Sequence, residues 1–297
     1  MRTFTPRKER KKKGYFRQFV RWITTGATVK DLTSQGSFKA SERSLLRYFY
    51  QFLDKPPLPK RLVKPKKVYL KIDGTYFRRW GCALVYKEGK EIIFWNFVER
   101  ENYQHYCLDL AQIKSLGYQV KGVTSDRHGS LISVVRNLLP GIPHQHCLVH
   151  LQRFCQSLLT QKPQLQAGKE LLELVRLLNT ITTPYQKNIW LKWLERLSLR
   201  YESLIKERTY GENEETGKKT WWYTHKNLRR AFKTLQNSKD NLFLYLNYPH
   251  LPKDINGLEA EFSHLKRKLS LHRGLKRERK ANFVKWYFFL KSTNQNP

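Results

Sequence analysis

The fold is decided by residues 67–76, Lys67-Val68-Tyr69-Leu70-Lys71-Ile72-Asp73-Gly74-Thr75-Tyr76. Val68, Leu70 and Ile72 alternate with Lys67, Tyr69 and Lys71. A two-residue period of this kind is typical of a strand with one buried face. We therefore predict a strand at 67–76 that ends in Asp73-Gly74-Thr75.

Further strands and helices follow this strand along the chain. Apolar periodicity, turn residues and helix-stop glycines predict a second and a third strand, then a helix. They also predict a fourth strand that leads into Asp126, a second helix and a fifth short strand. Three antiparallel strands followed by β-α-β units indicate an α/β fold with a ribonuclease H-like core. The later elements have these predicted bounds: strands 81–86 and 91–98 with a turn at Glu88-Gly89, helix 103–116, strand 118–125, helix 131–139 and strand 142–146.

Asp73 and Asp126 are expected to meet in space. In that topology the first and fourth strands lie side by side and parallel, so residues at their equivalent ends are separated by little more than one strand spacing of ~4.8 Å. Two carboxylates that close repel each other unless a cation lies between them, and oxygen ligands suit Mg²⁺ or Mn²⁺. The alternative for either aspartate alone is an ordinary turn or helix cap.

A late basic helix supplies a third carboxylate. In residues 256–268, Glu259 and Lys266 are two turns apart on one helical face, whereas Glu261 is roughly 200° away from Glu259 around the axis. We predict that Glu259 completes the metal site and that Lys266 holds a phosphate. The alternative is that Lys266 is one solvated cation among Lys266-Arg267-Lys268.

The composition indicates a polyanionic partner. The chain has 297 residues, 40% of them hydrophobic, with 57 Lys and Arg against 24 Asp and Glu, a net charge of +33. Nucleic acid is favoured over a membrane, because no apolar run approaches the ~20 residues of a spanning helix. No signal peptide is recognisable, and four cysteines without C-x-x-C spacing fit a reducing compartment, so we expect a cytoplasmic protein.

Positive charge is concentrated near the N-terminus, where residues 1–67 carry nineteen Lys and Arg against four Asp and Glu. We predict a basic tail at 1–13, a helix-turn-helix DNA-binding domain at 14–53 and a proline-rich linker at 54–66. The second helix, capped by Ser41, would carry Arg43 and Arg47 into the major groove. A plain three-helix scaffold with a solvated basic face is the alternative.

We predict that the first part of the core spans 67–146 and that its catalytic helix lies in 256–291. Residues 147–255 are then an insertion between these two parts. Their helical periods predict an all-α insertion. Near its end, Trp221-Trp222-Tyr223-Thr224-His225 precedes a basic helix with Arg229 and Arg230, which we expect to contact DNA. These aromatic residues either stack on unpaired bases or belong to the core of the insertion.

Cys147 and His150 have the spacing of two ligands on one helical face. Structural zinc takes four ligands, and no matching pair is evident in the sequence. We therefore predict a structural, hydrogen-bonded role for Cys147 and His150, with metal ligation as the alternative.

The motifs together resemble a bacterial insertion-sequence transposase of the Mutator-like DDE supergroup. The resemblance covers most of residues 66–290, and it lies in the order and spacing of the motifs. They are Ile72-Asp73-Gly74-Thr75, Thr124-Ser125-Asp126, His146-Cys147-Leu148-Val149-His150 with Gln152-Arg153, Trp222-Tyr223-Thr224-His225, and Asn256-x-x-Glu259 through Lys266 to His272-Arg273-Gly274-Leu275.

The resemblance implies a catalytic triad of Asp73, Asp126 and Glu259 that holds two Mg²⁺ or Mn²⁺ ions, with Lys266 on a phosphate. It also implies an N-terminal domain that recognises the terminal inverted repeats of a mobile element, with target DNA as the second partner. We expect a homo-oligomer, at least a dimer on DNA, in the bacterial cytoplasm at the nucleoid. The alternatives are a ribonuclease H-fold nuclease without strand transfer and a domesticated DNA-binding protein with a dead core.

Overall fold

The computed structural model describes residues 7–34, 39–212 and 219–293, and within these ranges side chains from Lys11 onward. The chain divides into two compact units. Unit 1 is drawn from Met1–Lys121, Ser130–Pro140 and Asn256–Pro297, and unit 2 from Gly122–Gly129 and Gly141–Ile255.

Five strands form a mixed sheet in the order β3-β2-β1-β4-β5. β1, β2 and β3 are antiparallel neighbours, and β4 and β5 are parallel. Residues 82–87 of the second strand are all buried, which explains why this strand lacks a polar face. The strands are β1 (Lys66–Tyr76), β2 (Cys82–Glu88), β3 (Glu91–Val98), β4 (Tyr118–Ser125) and β5 (His144–His146).

The strand predictions are confirmed, with one correction of position. The predicted bounds 91–98 and 118–125 are those of β3 and β4. Asp73, however, lies inside β1 opposite Val85 rather than at the strand end, because pairing with β2 continues to Tyr76. The turn between β2 and β3 contains Gly89 at φ 53°, a conformation that favours glycine.

Three helices precede the sheet: α1 (Arg7–Thr25), α2 (Val29–Ser34) and α3 (Glu42–Leu53). The predicted basic tail of residues 1–13 is helical from Arg7 onward, since Lys and Arg have high helix propensity. The predicted cap of the third helix is confirmed, because the Ser41 side chain accepts a hydrogen bond from the Ser44 amide. The turn of the predicted helix-turn-helix, expected around Gly36, lies outside the described residues.

Unit 1 joins these N-terminal helices to the C-terminal helix α12 (Arg277–Ser292). The ring centroids of Phe19 and Trp286 are 5.1 Å apart, and those of Trp22 and Phe283 are 5.5 Å apart. Trp286 also donates its indole N–H to the carbonyl of Phe52 at 2.9 Å. The two ends of the chain therefore share one aromatic core.

Three more helices flank the strands: α4 (Tyr103–Ser115), α5 (Gly129–Leu138) and α11 (Asn256–Ser270). The Asn102 side chain caps α4 by accepting from the His105 amide at 2.8 Å. Gly117, at φ 100°, follows the end of α4, as the sequence predicts.

Unit 2 contains five helices longer than three residues among its described residues and also a two-stranded ribbon. The prediction of an all-α insertion is therefore wrong. The ribbon forms because Thr209 and Tyr210 pair with Trp222 and Trp221, and β-branched and aromatic residues favour strands. The elements are α6 (Leu148–Leu159), α7 (Gln166–Arg176), α8 (Pro184–Arg200), α9 (Glu202–Lys206), β6 (Arg208–Glu212), β7 (Lys219–Tyr223) and α10 (Lys226–Ser238).

The helices of unit 2 surround a core of their own. The buried indole of Trp190 donates to the Leu174 carbonyl at 2.8 Å, which fixes α8 against α7. Leu228, Ala231, Phe232 and Leu235 are buried on one face of α10. No helix in the described part of the chain combines the length and apolar character needed to span a bilayer.

Candidate functional site

Asp73 is a buried carboxylate at the centre of unit 1. Asp73 has only 8% of its surface exposed, and its Oδ1 accepts a hydrogen bond from the Gly74 amide at 2.9 Å. Ile72 and Leu70, on the same strand, are fully buried. A carboxylate in such surroundings is costly to keep charged unless it has a charged or hydrogen-bonding partner.

Glu259 lies in the first turn of α11 and is half-buried. Leu258, Phe262 and Leu265 fix the helix by burying its apolar face. Glu261 is engaged elsewhere, because its carboxylate accepts from the Tyr287 hydroxyl at 3.1 Å and lies 3.8 Å from Lys291 Nζ. This arrangement accounts for Glu261 as a structural residue and leaves Glu259 as the candidate.

A basic cavity of about 830 Å³ opens in unit 1 between β1 and the region of α11 and α12. Tyr76, Phe77 and Trp80 contribute aromatic side chains to its wall. Its described lining contains no carboxylate, so it favours an anion such as a phosphate. Its cations are Arg78, Lys266, Arg273 and Lys280.

Lys266 and Lys268 differ in their surroundings. Lys266 is exposed, lines the basic cavity, and has its Nζ 5.8 Å from the centre of the Phe77 ring. Lys268 is half-buried with Nζ 5.7 Å from the Tyr287 ring, and burial lowers the pKa of its ammonium group. The two lysines of one basic run are thus not equivalent.

Asp126 follows β4 directly and belongs to unit 2. Its Oδ1 accepts from the His128 amide at 3.1 Å, and its carbonyl accepts from the Ser125 hydroxyl at 2.7 Å. Ser125 Oγ also lies 2.8 Å from His144 Nε2, and burial lowers the pKa of His144 to about 4. The Ser125 hydroxyl has one hydrogen, and it uses it to donate to the Asp126 carbonyl. The neutral His144 imidazole therefore donates from Nε2 to the serine oxygen.

Cys147 precedes α6 as its N-cap residue, so Cys147 and His150 do not lie on one face of a regular helix as predicted. Its amide donates to the Ser125 carbonyl at 2.7 Å, which ties the start of α6 to the residue before Asp126. Burial raises the pKa of the Cys147 thiol to about 11, so the thiolate that binds metals is disfavoured.

The three predicted catalytic carboxylates are divided between the units. Asp73 and Glu259 belong to unit 1, and Asp126 belongs to unit 2. Over the described ranges, no three His, Cys, Asp or Glu side chains are grouped so that they could hold a metal ion. The chemistry of the predicted donor set, three carboxylates and no sulfur or nitrogen, suits a hard divalent cation.

Comparison with known families decides the kind of protein. The family described as transposase IS66 family matches residues 78–281, well over half of the chain. The chain belongs to the IS66 transposase family. The match supports an insertion-sequence transposase and does not support the Mutator-like assignment. A search among curated proteins finds no match.

The matched region of this IS66-family transposase includes Asp126, Glu259 and Lys266, whereas Asp73 lies just before it. One carboxylate beside Gly74 was not predicted from the sequence. A Cβ at position 74 would collide with the carboxylate of Glu101, so any larger residue there would require the Glu101 side chain to move. Tyr106 donates to the Glu101 carboxylate at 2.7 Å. The available sequence signal was a glycine directly after the candidate aspartate.

The predicted DNA-binding arginines of this transposase have different environments. Arg43 and Arg47 are exposed one turn apart on α3, on the side away from buried Leu45 and Phe49. Arg229 is half-buried, since its guanidinium stacks 3.7 Å from the Tyr223 ring centre and donates to the Ile205 carbonyl at 3.2 Å. Arg230 is exposed near Phe154.

Proposed function

We propose that this IS66-family transposase is a DDE enzyme that binds the terminal inverted repeats of its element and carries out DNA strand cleavage and transfer. The observation that carries the proposal is the composition of unit 1. Within this unit, a buried aspartate in β1 and a glutamate on α11 accompany a cavity whose described lining has four cations and no carboxylate. Metal-dependent phosphoryl transfer needs carboxylates that bind the metal ions and positively charged side chains that bind the phosphates.

In this proposal, Asp73, Asp126 and Glu259 would hold two Mg²⁺ or Mn²⁺ ions when DNA is bound, since the described residues by themselves contain no group of three such side chains that could hold a metal ion. When bound, such ions activate a water or a DNA 3′-hydroxyl for attack at phosphorus and stabilise the leaving oxygen. The ribonuclease H-like character of the core is part of the same proposal and is supported by the strand order β3-β2-β1-β4-β5.

The chain's own side chains orient the DNA backbone. Lys266, with Arg78, Arg273 and Lys280, presents positive charge to a phosphate from the wall of the basic cavity. Lys266, Arg78 and Arg273 are exposed to solvent, so a DNA phosphate can reach them without displacing a covering side chain. Lys266 is the residue placed on the same helix as Glu259.

The N-terminal helices are the proposed reader of the element ends. α2 and α3 have the order of a helix-turn-helix, and Arg43 and Arg47 form an exposed pair on the second of these helices. In such a motif the second helix enters the major groove. Two ends must be processed together, so we propose that the enzyme acts as at least a dimer on DNA, at the nucleoid in the bacterial cytoplasm.

The test uses the full chain with duplex DNA that carries the flanking ends of its element. With Mg²⁺ present, we expect strand breaks at the element ends, and joining to a target plasmid when pre-cut ends are supplied. Mapping the cleaved strands on a sequencing gel measures both steps. Cleavage without joining would identify a nuclease, and end-specific binding without any cleavage would identify a DNA-binding protein.

A further inference from the structure

The ribbon of β6 and β7 exposes large aromatic side chains instead of burying them. Trp221 is 46% exposed, Trp222 49% and Tyr210 73%. The alternative that these aromatics form the core of the insertion is therefore wrong. Aromatic surface that is left in contact with water calls for a ligand that covers it.

The register of the ribbon places its aromatics on both faces. Tyr210 is paired with Trp221 on one face, together with Arg208 and Tyr223. Trp222 lies on the opposite face, where its ring packs 3.1 Å from the position of a Cβ on Gly211. The ribbon thus exposes aromatic side chains on both of its faces.

Arginines hold the rings of the first face in place. The Arg208 guanidinium lies 4.1 Å from the centre of the Trp221 ring, and that of Arg229 lies 3.7 Å from the centre of Tyr223. Trp221 and Tyr223 contact each other edge to face at 5.3 Å. These contacts fix the indole orientation before any ligand arrives, which reduces the entropy lost on binding.

The charge of β7 and of the following helix α10 favours an anionic ligand, although β6 ends in Glu212. Residues 219–233 contain five Lys and Arg and no Asp or Glu. Three of these cations, Lys226, Arg230 and Lys233, form an exposed stripe along α10 at helical spacing. Phosphate groups would meet this stripe while planar groups meet the rings.

Another exposed tryptophan of unit 2 has a different setting. Trp193 on α8 is 54% exposed and lines an apolar groove with Glu170 and Glu173, without a lysine or arginine in the described lining. Of these two sites with exposed tryptophans, the ribbon has lysine and arginine side chains beside its rings and the Trp193 groove does not.

We propose that the β6–β7 ribbon binds unpaired bases of DNA, with Trp221 and Trp222 stacking on bases and the α10 stripe holding phosphates. The proposal rests on the proposed function only in taking DNA as the ligand. Every base has a planar face, so such a surface binds single strands with little sequence preference. In paired DNA these faces are covered by neighbouring bases, so unpaired ends and separated strands are the expected ligand.

The experiment measures binding of the full chain to a fluorescein-labelled oligodeoxythymidine of about twelve nucleotides by fluorescence anisotropy. An unlabelled, relaxed and covalently closed circular duplex, which has neither free ends nor unpaired loops, is the second probe and is used as a competitor. We expect Trp221→Ala and Trp222→Ala each to weaken oligodeoxythymidine binding about tenfold and to leave binding of the closed circle unchanged. Trp221→Phe should recover most of the affinity, because a stacking ring remains.

Trp193→Ala is the matched control, since it removes an equally exposed indole from the same unit. Equal affinities of Trp221→Ala, Trp193→Ala and the unmodified chain would overturn the proposal. So would equal losses on oligodeoxythymidine and on the closed circular duplex, which would mean that Trp221 supports the fold or a general basic surface. A Trp221-dependent preference for oligouridine would assign the ribbon to RNA.

Failure of this inference is separable from failure of the proposed function. Oligodeoxythymidine binding needs no cleavage, so a chain that binds it through Trp221 but never cuts element ends would refute only the enzyme. A chain that cuts element ends while Trp221→Ala binds oligodeoxythymidine normally would refute only the stacking surface.

Discussion

Asp73 in unit 1 and Trp221 in unit 2 are placed in opposite ways for their residue types. The aspartate, which favours water, is 8% exposed, whereas the tryptophan, which favours a core, is 46% exposed. Each departure has a local support, since the aspartate accepts from a backbone amide and an arginine guanidinium lies 4.1 Å from the centre of the indole ring. Under the functions proposed above, unit 1 would supply two of the three reacting carboxylates, Asp73 and Glu259, and unit 2 would supply Asp126 together with an aromatic surface for DNA.

The strongest test of this division removes the charge of the unit 1 carboxylates. Asp73→Asn and Glu259→Gln should each lower the cleavage rate by roughly a thousandfold, because a lost metal ligand removes several kcal/mol of transition-state stabilisation. Cleavage is measured on element-end DNA, and anisotropy with the same DNA should show unchanged binding.

Glu261→Gln is the matched control on the same helix, because its carboxylate contacts Tyr287 and Lys291. It should keep most of the activity. An inactive Glu261→Gln next to an active Glu259→Gln would exchange the two assignments.

A smaller loss is expected from the basic cavity. Lys266→Ala should slow cleavage about a hundredfold, the usual cost of one good transition-state contact. Lys266→Arg should retain part of the activity, because the charge remains although the head group differs in shape. Lys268→Ala, which alters a half-buried lysine next to Tyr287, should slow cleavage much less than Lys266→Ala. The cleavage rates of the two variants are compared on the same single element end. Equal losses at both positions would remove the special role of Lys266.

End recognition should depend on the exposed arginine pair of α3. Arg43→Ala and Arg47→Ala should each weaken binding to element ends about tenfold while changing binding to random duplex less, as expected for base-reading contacts. Point substitutions are preferable to deletion of α1, because Phe19, Trp22 and Ile23 are buried in the core of unit 1.

Arg196→Ala, on the surface of α8 in unit 2, is the control for charge alone. If it lowers end binding as much as the α3 variants do, the reader of the ends is not α3.

The smallest effect concerns a second buried carboxylate of unit 1. Tyr86 and Asn96 donate to Asp109, yet burial raises its pKa from 3.8 to about 6. The folded state therefore binds the extra proton, and Asp109 makes stability fall as the pH rises from 3.8 to about 6. Asp109→Asn mimics the protonated form and should stabilise the fold by about 1–2 kcal/mol at pH 7.

Thermal unfolding followed by circular dichroism at several pH values measures this effect. The stability difference between Asp109→Asn and the unmodified chain should vanish below the ordinary pKa of the carboxyl. A constant difference at all pH values would mean that Asp109 acts through packing and not through its charge.

The sequence predicted the strands of unit 1 well because one-sided burial imposes a two-residue period, visible in Val68, Leu70 and Ile72. It failed for the β6–β7 ribbon, because none of the residues in these two strands is buried and the pairing of Tyr210 with Trp221 depends on contacts between the strands. Glu101 was missed for a related reason. Its position against Gly74 depends on how the chain returns to β1, which no local pattern encodes.

For the site, Glu259 was separable from Glu261 by helical geometry alone, and the contact of Glu261 with Tyr287 agrees with that choice. The equivalence of Lys266 and Lys268 in the sequence, by contrast, is resolved only by tertiary contacts. The run of basic residues in the sequence does not indicate that Lys266 lines a cavity and that Lys268 is half-buried.

The packing of α12 against α1 and α3 has a consequence for synthesis of the protein on the ribosome. Domains generally fold as they emerge, beginning at the N-terminus. Here Phe19 and Trp22 are synthesised long before their partners Trp286 and Phe283. Unit 2, whose described residues all precede α11, can complete its core earlier. A nascent chain halted before residue 277 would thus expose an open aromatic surface, a target for chaperones and proteases.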